Sequence, residues 1–241
     1  MSCYNMRQPR DATQCNQYCD WMSLARVSGA AALGYLLGMF PTADLVARRV
    51  SGGTVDLRAA GTGNPGGANA LKVLGARAGY TVMAGDIAKG AMASTVGRLI
   101  AGGAGAHAAG TAAVIGHCLP AWNGGKGGKG VATTVGQCLA TFPAYFPIDV
   151  AVAAATAANP RLKQRAFTAT MVASVCWVAG ALLWWRKGWR NLWGPRPDAG
   201  LPLSAAISSA MVAYKFVVAA RAPAPDASRR PAAGYTATVA A

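Results

Sequence analysis

Successive apolar stretches, separated by short glycine-rich or basic gaps, constrain this chain more than any other feature. A helix that crosses a bilayer needs about 20 mostly apolar residues. Leu24 to about Val46 meets that length, with Gly-Ala-Ala-Ala-Leu-Gly-Tyr-Leu-Leu-Gly at its centre. About Val73 to Val96 forms a second stretch, which contains Asp86 and Lys89, and Ala104 to Pro120 a shorter third carrying His107 and His117. Residues 131–158 are too long for one span and are interrupted by Pro143 and Pro147, which predicts two short helices joined by a tight turn. Ala166 to Trp185 and Leu203 to Ala220 complete the set. Backbone polar groups in lipid must be satisfied within the segment, so such stretches become helices. The expected fold is an all-α polytopic membrane protein of about seven spans, some short or re-entrant. Small residues dominate several spans and favour close helix packing.

Composition agrees. Of 241 residues, 53% are hydrophobic and 13% charged, against about 25% charged in soluble domains. The net charge is +15, and all eight acidic residues are aspartates. That balance suits anionic lipid, anionic substrates or nucleic acid. The basic residues fall mainly in the gaps between apolar stretches, and aromatics are not interleaved with them as a stacking platform requires. No nucleic-acid partner is expected. With seven spans and the amino terminus outside, the inner side receives Arg48, Arg49, Arg58, Lys72, Lys126, Lys129, Arg161, Lys163, Arg165, Arg221, Arg229 and Arg230. The outer loops receive only Arg98, Arg186, Lys187, Arg190 and Arg196. This follows the positive-inside pattern, with Arg186 to Arg196 as an unusual outer cluster.

Residues 1–21 form a polar extension in which Arg7, Arg10, Asp11 and Asp20 leave no apolar centre for a signal peptide, and Met22 is a possible alternative start. Residues 22–220 form the membrane domain. The Ala/Pro/Arg-rich segment 221–241 is expected to be a disordered basic tail. Cys15 and Cys19 have no matching pair elsewhere, so no metal site is expected, and no structural disulfides either.

Two gaps carry the chemistry. Gly61-Thr-Gly-Asn-Pro-Gly-Gly-Ala-Asn-Ala-Leu-Lys72 is glycine-rich and ends in a cation. Its glycines allow backbone N–H groups to turn toward one point. Thr62, Asn64 and Asn69 offer hydroxyl and amide donors, Lys72 adds charge, and a helix starting near Ala68 would aim its N-terminus at an anion. The second gap, Asn123-Gly-Gly-Lys-Gly-Gly-Lys-Gly-Val-Ala-Thr-Thr134, follows Gly116-His117-Cys-Leu-Pro120. It fails the Walker nucleotide pattern twice: Asn123 stands where the first glycine belongs, and Gly130 follows Lys129 where Ser or Thr is required. What remains is an anion cradle from Lys126, Gly127, Gly128, Lys129, Gly130 and Thr133. Asp86 and Lys89, three apart on one helical face, are expected to form a structural ion pair.

These strings resemble the PlsY family, bacterial membrane acyltransferases that move an acyl group from acyl phosphate to glycerol 3-phosphate. Gly61 to Lys72, Leu74-Gly75 and Asp86-x-x-Lys89-Gly90 look like its first signature. Gly116-His117-x-x-Pro120 followed by Gly127-Gly-Lys-Gly-Val-Ala-Thr133 resembles the second, and Leu33 to Leu45 is similar to the first span. Thr62 stands where serine is usual, Gly67-Ala68 where Ala-Thr is usual, and Lys72 where arginine is usual, which removes a bidentate phosphate fork. The family's third signature pairs Asn with Arg and ends in Gly-x-Glu. The nearest candidate is Arg190-Asn191-Leu192 with Gly194, on the outer side by the span count, and the chain has no glutamate.

The resemblance implies acyl transfer to the 1-hydroxyl of glycerol 3-phosphate, giving lysophosphatidic acid and phosphate at the cytoplasmic face of a bacterial inner membrane. The expected partners are the two substrates and membrane lipid, with no cofactor and no obligate protein partner. His117, Lys129 and Thr62 are the candidate catalytic residues. The proton acceptor is either His117 or a substrate phosphate oxygen, and positioning of two charged substrates favours the phosphate. An anion transporter and a catalytically inactive relative are the alternatives. Transporters often carry matched halves, and no second copy of the 61–130 pattern exists in this chain.

Overall fold

The computed structural model describes residues 9–221. Residues 1–8 and 222–241 lie outside the described residues, and with them most of the proposed basic tail. The described chain is helical: α1 (Pro9–Gly38), α2 (Thr42–Ser51), α3 (Gly67–Leu74), α4 (Ala76–Cys118), α5 (Val131–Thr141), α6 (Phe146–Ala158), α7 (Arg165–Lys187) and α8 (Gly200–Arg221).

The apolar pattern gives the elements, and glycine and proline set their limits. The expected single span over 24–46 is corrected: α1 stops at Gly38, and Met39–Pro41 separate it from α2. Pro41 has no N–H to continue the ladder and restricts the residue before it. Upstream, residues 9–20 prolong the helix of the first span rather than lying apart from it. The predicted second and third spans are the two arms of α4. They meet at Ala101 (φ −141°) and Gly102 (φ 62°, ψ −147°), a backbone state open to glycine alone. The chain folds back on itself there. A Cβ at Gly97 would lie 2.3 Å from the carbonyl of Gly105, and one at Gly110 equally close to Ser94 Oγ, so the arms run antiparallel in tight contact.

Helix α1 lies along the returning arm of α4. Cβ atoms at Gly34 and Gly38 would meet the Ala109 and Ala113 carbonyls at 2.3 and 2.1 Å. This close approach favours dispersion contact where lipid offers no hydrophobic drive. Residues 131–158 form two short helices joined by a turn, as their prolines predicted. Helix α5 packs on the outgoing arm, and Gln137 ties three helices together: its Nε2 donates to Thr111 Oγ1 (3.3 Å), and its Oε1 accepts from Ser208 Oγ (2.8 Å).

Trp21–Ser51, Ala76–Asn123, Arg165–Lys187 and Gly200–Arg221 are long and apolar enough to cross a membrane by length and composition. At 11 residues, α5 is about 16 Å long, short of the ~30 Å hydrocarbon core. The expected set of about seven segments, some short, is thus present as four long apolar candidate spans, one of them (α4) bent double, and the two short helices α5 and α6.

Contacts define two ends. At one, the C-terminus of α1, the Gly61–Lys72 loop, the C-terminus of α4 and residues 119–130 come together, linked by Tyr35 Oη donating to the Leu119 carbonyl (2.8 Å). The end of α8 joins them, since Phe216 meets Phe167 of α7 edge-on and Val212 packs near Gly130. At the other end, residues 188–199 cover the hairpin turn of α4. Arg98 donates to the Trp193 carbonyl, and Pro195 lies beside Gly103.

Candidate functional site

A small apolar core builds the first loop. Ala43, Ala47, Val55, Leu57, Ala60, Ala70, Leu74, Ala78 and Val82 are buried together, so α2, the loop and α3 pack as one unit on the start of α4. Asn69, 2% exposed, shapes the loop from inside. Its Nδ2 donates to the Leu57 and Ala60 carbonyls (2.9 and 3.0 Å), while its Oδ1 accepts from the Thr62 backbone N–H (2.8 Å). Both amide hydrogens are thereby engaged, so the expected role of Asn69 as a phosphate donor is corrected to that of a loop brace. The Thr62 hydroxyl and Lys72 are on the exposed surface and Asn64 is half-buried, so all three remain available to a ligand.

The second loop is clamped to the C-terminus of α4. Gly128 N–H donates to the His117 carbonyl (3.1 Å) and Gly127 N–H to the Cys118 carbonyl (3.3 Å). A Cβ at Gly128 would fall 2.2 Å from His117 Nε2 and 3.1 Å from the Pro65 carbonyl. That one position therefore touches both the candidate histidine and the first loop. Arg58 adds a second link. Its Nε donates to the Lys126 carbonyl (3.1 Å), while its guanidinium pairs with Asp44 through Nη1 and through Nη2 (3.1 Å). Trp122 Nε1 donates to the Met39 carbonyl (3.0 Å), which fixes the Ala121–Asn123 turn on the break between α1 and α2.

The floor of the cleft between the loops is ionic. Asp86 Oδ1 lies 2.8 Å from Lys89 Nζ and 3.5 Å from His117 Nδ1, all three side chains being buried. Lys89 Nζ also donates to the Phe40 carbonyl (3.2 Å). The expected pair of Asp86 and Lys89 is present, and His117 joins it from the returning arm of the hairpin. Asp86 thus faces one imidazole nitrogen, while the other faces Gly128. Phe40, Arg58, Pro65 and Gly127 are among the other residues of the lining.

Lys129 is half-buried, with its Nζ 4.4 Å from the centroid of the Phe216 ring. Burial, followed by the charge of nearby Lys72, lowers its pKa below the ordinary lysine value. The last cations of the two loops are therefore within electrostatic reach of one another. Lys126 is exposed. Thr133, fully buried in α5 where its carbonyl abuts Gly90, does not open into the cleft.

The 190–194 segment does not join this site. It sits at the hairpin turn of α4, about 15 residues or ~22 Å along the helix from His117. Asn191 Nδ2 donates to the Thr141 and Pro195 carbonyls (2.9 and 2.8 Å), so it ties the 190–195 turn to the end of α5. Sequence reasoning missed Arg58 and Lys215. Lys215 is the lone charge inside the apolar stretch 203–220 and is buried against Gly125. That isolation was the available signal.

A family profile described as Glycerol-3-phosphate acyltransferase matches residues 29–221. The glycerol-3-phosphate acyltransferase of Pseudomonas paraeruginosa is 35% identical over 186 residues, 77% of this chain and 89% of that protein. That of Exiguobacterium sibiricum is 45% identical over 123 residues, 51% of this chain and 59% of its own length. Among solved structures, PlsY (YgiH), an integral membrane glycerol 3-phosphate acyltransferase, in its glycerol 3-phosphate form superposes with a TM-score of 0.63 at 26% identity, covering 80% of this chain and 88% of that one. Its lysophosphatidic acid form superposes at 0.60 with 23% identity and shares the fold.

Proposed function

Because the chain belongs to the PlsY-type glycerol-3-phosphate acyltransferase family, we propose that its two glycine-rich loops hold the phosphates of an acyl phosphate and of glycerol 3-phosphate for direct acyl transfer. The activity is that of a glycerol-3-phosphate acyltransferase, an integral membrane enzyme forming lysophosphatidic acid. The observation that carries the site is the meeting of Gly128 with both His117 and the Pro65 carbonyl, since it brings segments 63 residues apart to one cleft.

Thr62, Asn64 and Lys72 hold one phosphate. Lys126, Gly127, Gly128, Lys129 and Gly130 hold the other, with Lys129 offsetting charge that grows on the phosphate oxygens of the leaving group. Asn69 braces the first loop, and Thr133 begins the helix behind the second. The 1-hydroxyl oxygen of glycerol 3-phosphate attacks the acyl carbonyl carbon, the bond from that carbon to the phosphate oxygen breaks, and inorganic phosphate leaves. The hydroxyl proton passes to a substrate phosphate oxygen or to His117 Nε2, with Asp86 orienting the ring from Nδ1. An acyl phosphate is already activated, so no covalent enzyme intermediate is required.

The loop end faces the cytoplasm of a bacterial inner membrane. The asymmetry of charge supports this orientation: Arg48, Arg49, Arg58, Lys72, Lys126, Lys129, Arg161, Lys163, Arg165 and Arg221 gather at the loop end, against Arg98, Arg186, Lys187, Arg190 and Arg196 at the other. Incubating purified protein in lipid with acyl phosphate and labelled glycerol 3-phosphate tests the function. Labelled lysophosphatidic acid with stoichiometric phosphate release is expected. Phosphate flux across vesicles without product would indicate a carrier instead.

A further inference from the structure

Lys215 is the only charged residue of α8 before Arg221. It is 9% exposed, and its Nζ reaches the Gly125 carbonyl at 3.5 Å, the outer limit of a hydrogen bond. Among the described residues no carboxylate lies within 4.0 Å of it, since Asp86 is held by Lys89 and His117. One residue further on, Phe216 carries Lys129 Nζ over its ring, and one turn earlier Val212 packs on Gly130. The 124–130 loop therefore has an ammonium group from α8 against it, in addition to those of its own Lys126 and Lys129.

A buried ammonium with a single long contact to a carbonyl is unfavourable unless an anion compensates it. The rest of α8 is lipid-compatible, so a cation at 215 has no role in crossing the membrane. We propose that Lys215 is a second cationic ligand for a substrate phosphate seated on the 124–130 loop, acting beside Lys129. Two of its three N–H donors remain for phosphate oxygens once Gly125 is satisfied. The shared ligand chemistry is a phosphate group on a monoester or an acyl phosphate; either substrate supplies one. This assignment rests on the two-phosphate site proposed above.

The test compares wild type, Lys215→Met and Lys215→Arg in lipid nanodiscs by steady-state kinetics with each substrate varied, and by thermal unfolding with and without inorganic phosphate. Lys215→Met is expected to raise KM for one substrate about tenfold to a hundredfold, the range of one charge-assisted hydrogen bond, and Lys215→Arg to recover most of it. A rise for acyl phosphate places the donor at the loop; a rise for glycerol 3-phosphate places the acceptor there. Without phosphate, Lys215→Met is expected to melt at or above the wild-type temperature, because a buried charge has been removed. It is also expected to lose the stabilisation that inorganic phosphate gives wild type. Unchanged KM values for both substrates with undiminished phosphate stabilisation would overturn the proposal. So would a fall in melting temperature with no change in either KM, since that pattern marks a merely structural lysine. If wild type formed no lysophosphatidic acid but its phosphate stabilisation still depended on Lys215, the anion site would stand and the acyl-transfer function would fall.

Discussion

The two ends of the helical bundle both carry cations and treat them in opposite ways. At the α4 hairpin turn, Arg186, Lys187, Arg190 and Arg196 are exposed, and Asn191 and Arg98 donate to backbone carbonyls. At the loop end, Lys89 and Lys215 are buried and Lys129 is half-buried, and only Lys89 has a carboxylate. Solvent neutralises the first set. The second waits for an anion. Positive charge alone therefore does not locate the site; burial without a counter-ion does, together with glycines whose missing Cβ atoms leave room for a ligand-binding backbone.

The contrast can be broken most severely at its ionic floor. Asp86→Ala leaves Lys89 and His117 without their shared carboxylate, and a loss of about 3–5 kcal/mol in unfolding stability is expected, read by thermal or denaturant unfolding in detergent. Lys129→Ala is expected to lower kcat/KM about 10²- to 10³-fold, in the range of losing one charge-stabilising donor, with little change in melting temperature. Gly128→Ala pushes a methyl group into His117 Nε2 and is expected to cost about 1–3 kcal/mol of stability along with most of the turnover. A pH profile sharpens the comparison further. Because burial and Lys72 lower the Lys129 pKa, the charged form is lost as pH rises before an ordinary lysine would titrate, so activity falls early on the alkaline side. Lys72→Gln removes one of those causes and moves that limb to higher pH. At the other end, Arg190→Ala is expected to change stability by less than about 0.5 kcal/mol and to leave activity at the wild-type level.

Much of this was legible in the sequence because glycine and proline act locally. The two short helices of 131–158 follow from Pro143 and Pro147, and the apolar runs gave the long helices. The break at Pro41 was equally local, yet it was hidden by the apolar residues on both sides, which carried the hydropathy through it. The hairpin in α4 was legible only as a gap between two stretches. That His117 returns to Asp86 depends on the packing of Gly97 against Gly105 and Gly110 against Ser94, which no local signal states. The two loops were recognisable by composition, and their shared cleft follows from the hairpin. Asn69 was misjudged because its amide could serve a ligand or the loop with equal chemistry, and only burial decides between them. Lys215 was visible as a lone charge in an apolar run, but its target was not: Gly125 lies 90 residues away, and α8 must run antiparallel to its predecessor for the two to meet.

The central claim is that segments 61–72 and 124–130 form one cleft that takes two phosphates at the same end of the molecule. A structure with glycerol 3-phosphate and a non-transferable acyl phosphate analogue bound together tests it most directly. One phosphate is expected against Thr62, Asn64 and Lys72 and the other against Gly127 to Gly130, with both near His117. Phosphate density at the Gly188–Pro197 end, or the two anions held at opposite ends of the bundle, would contradict it.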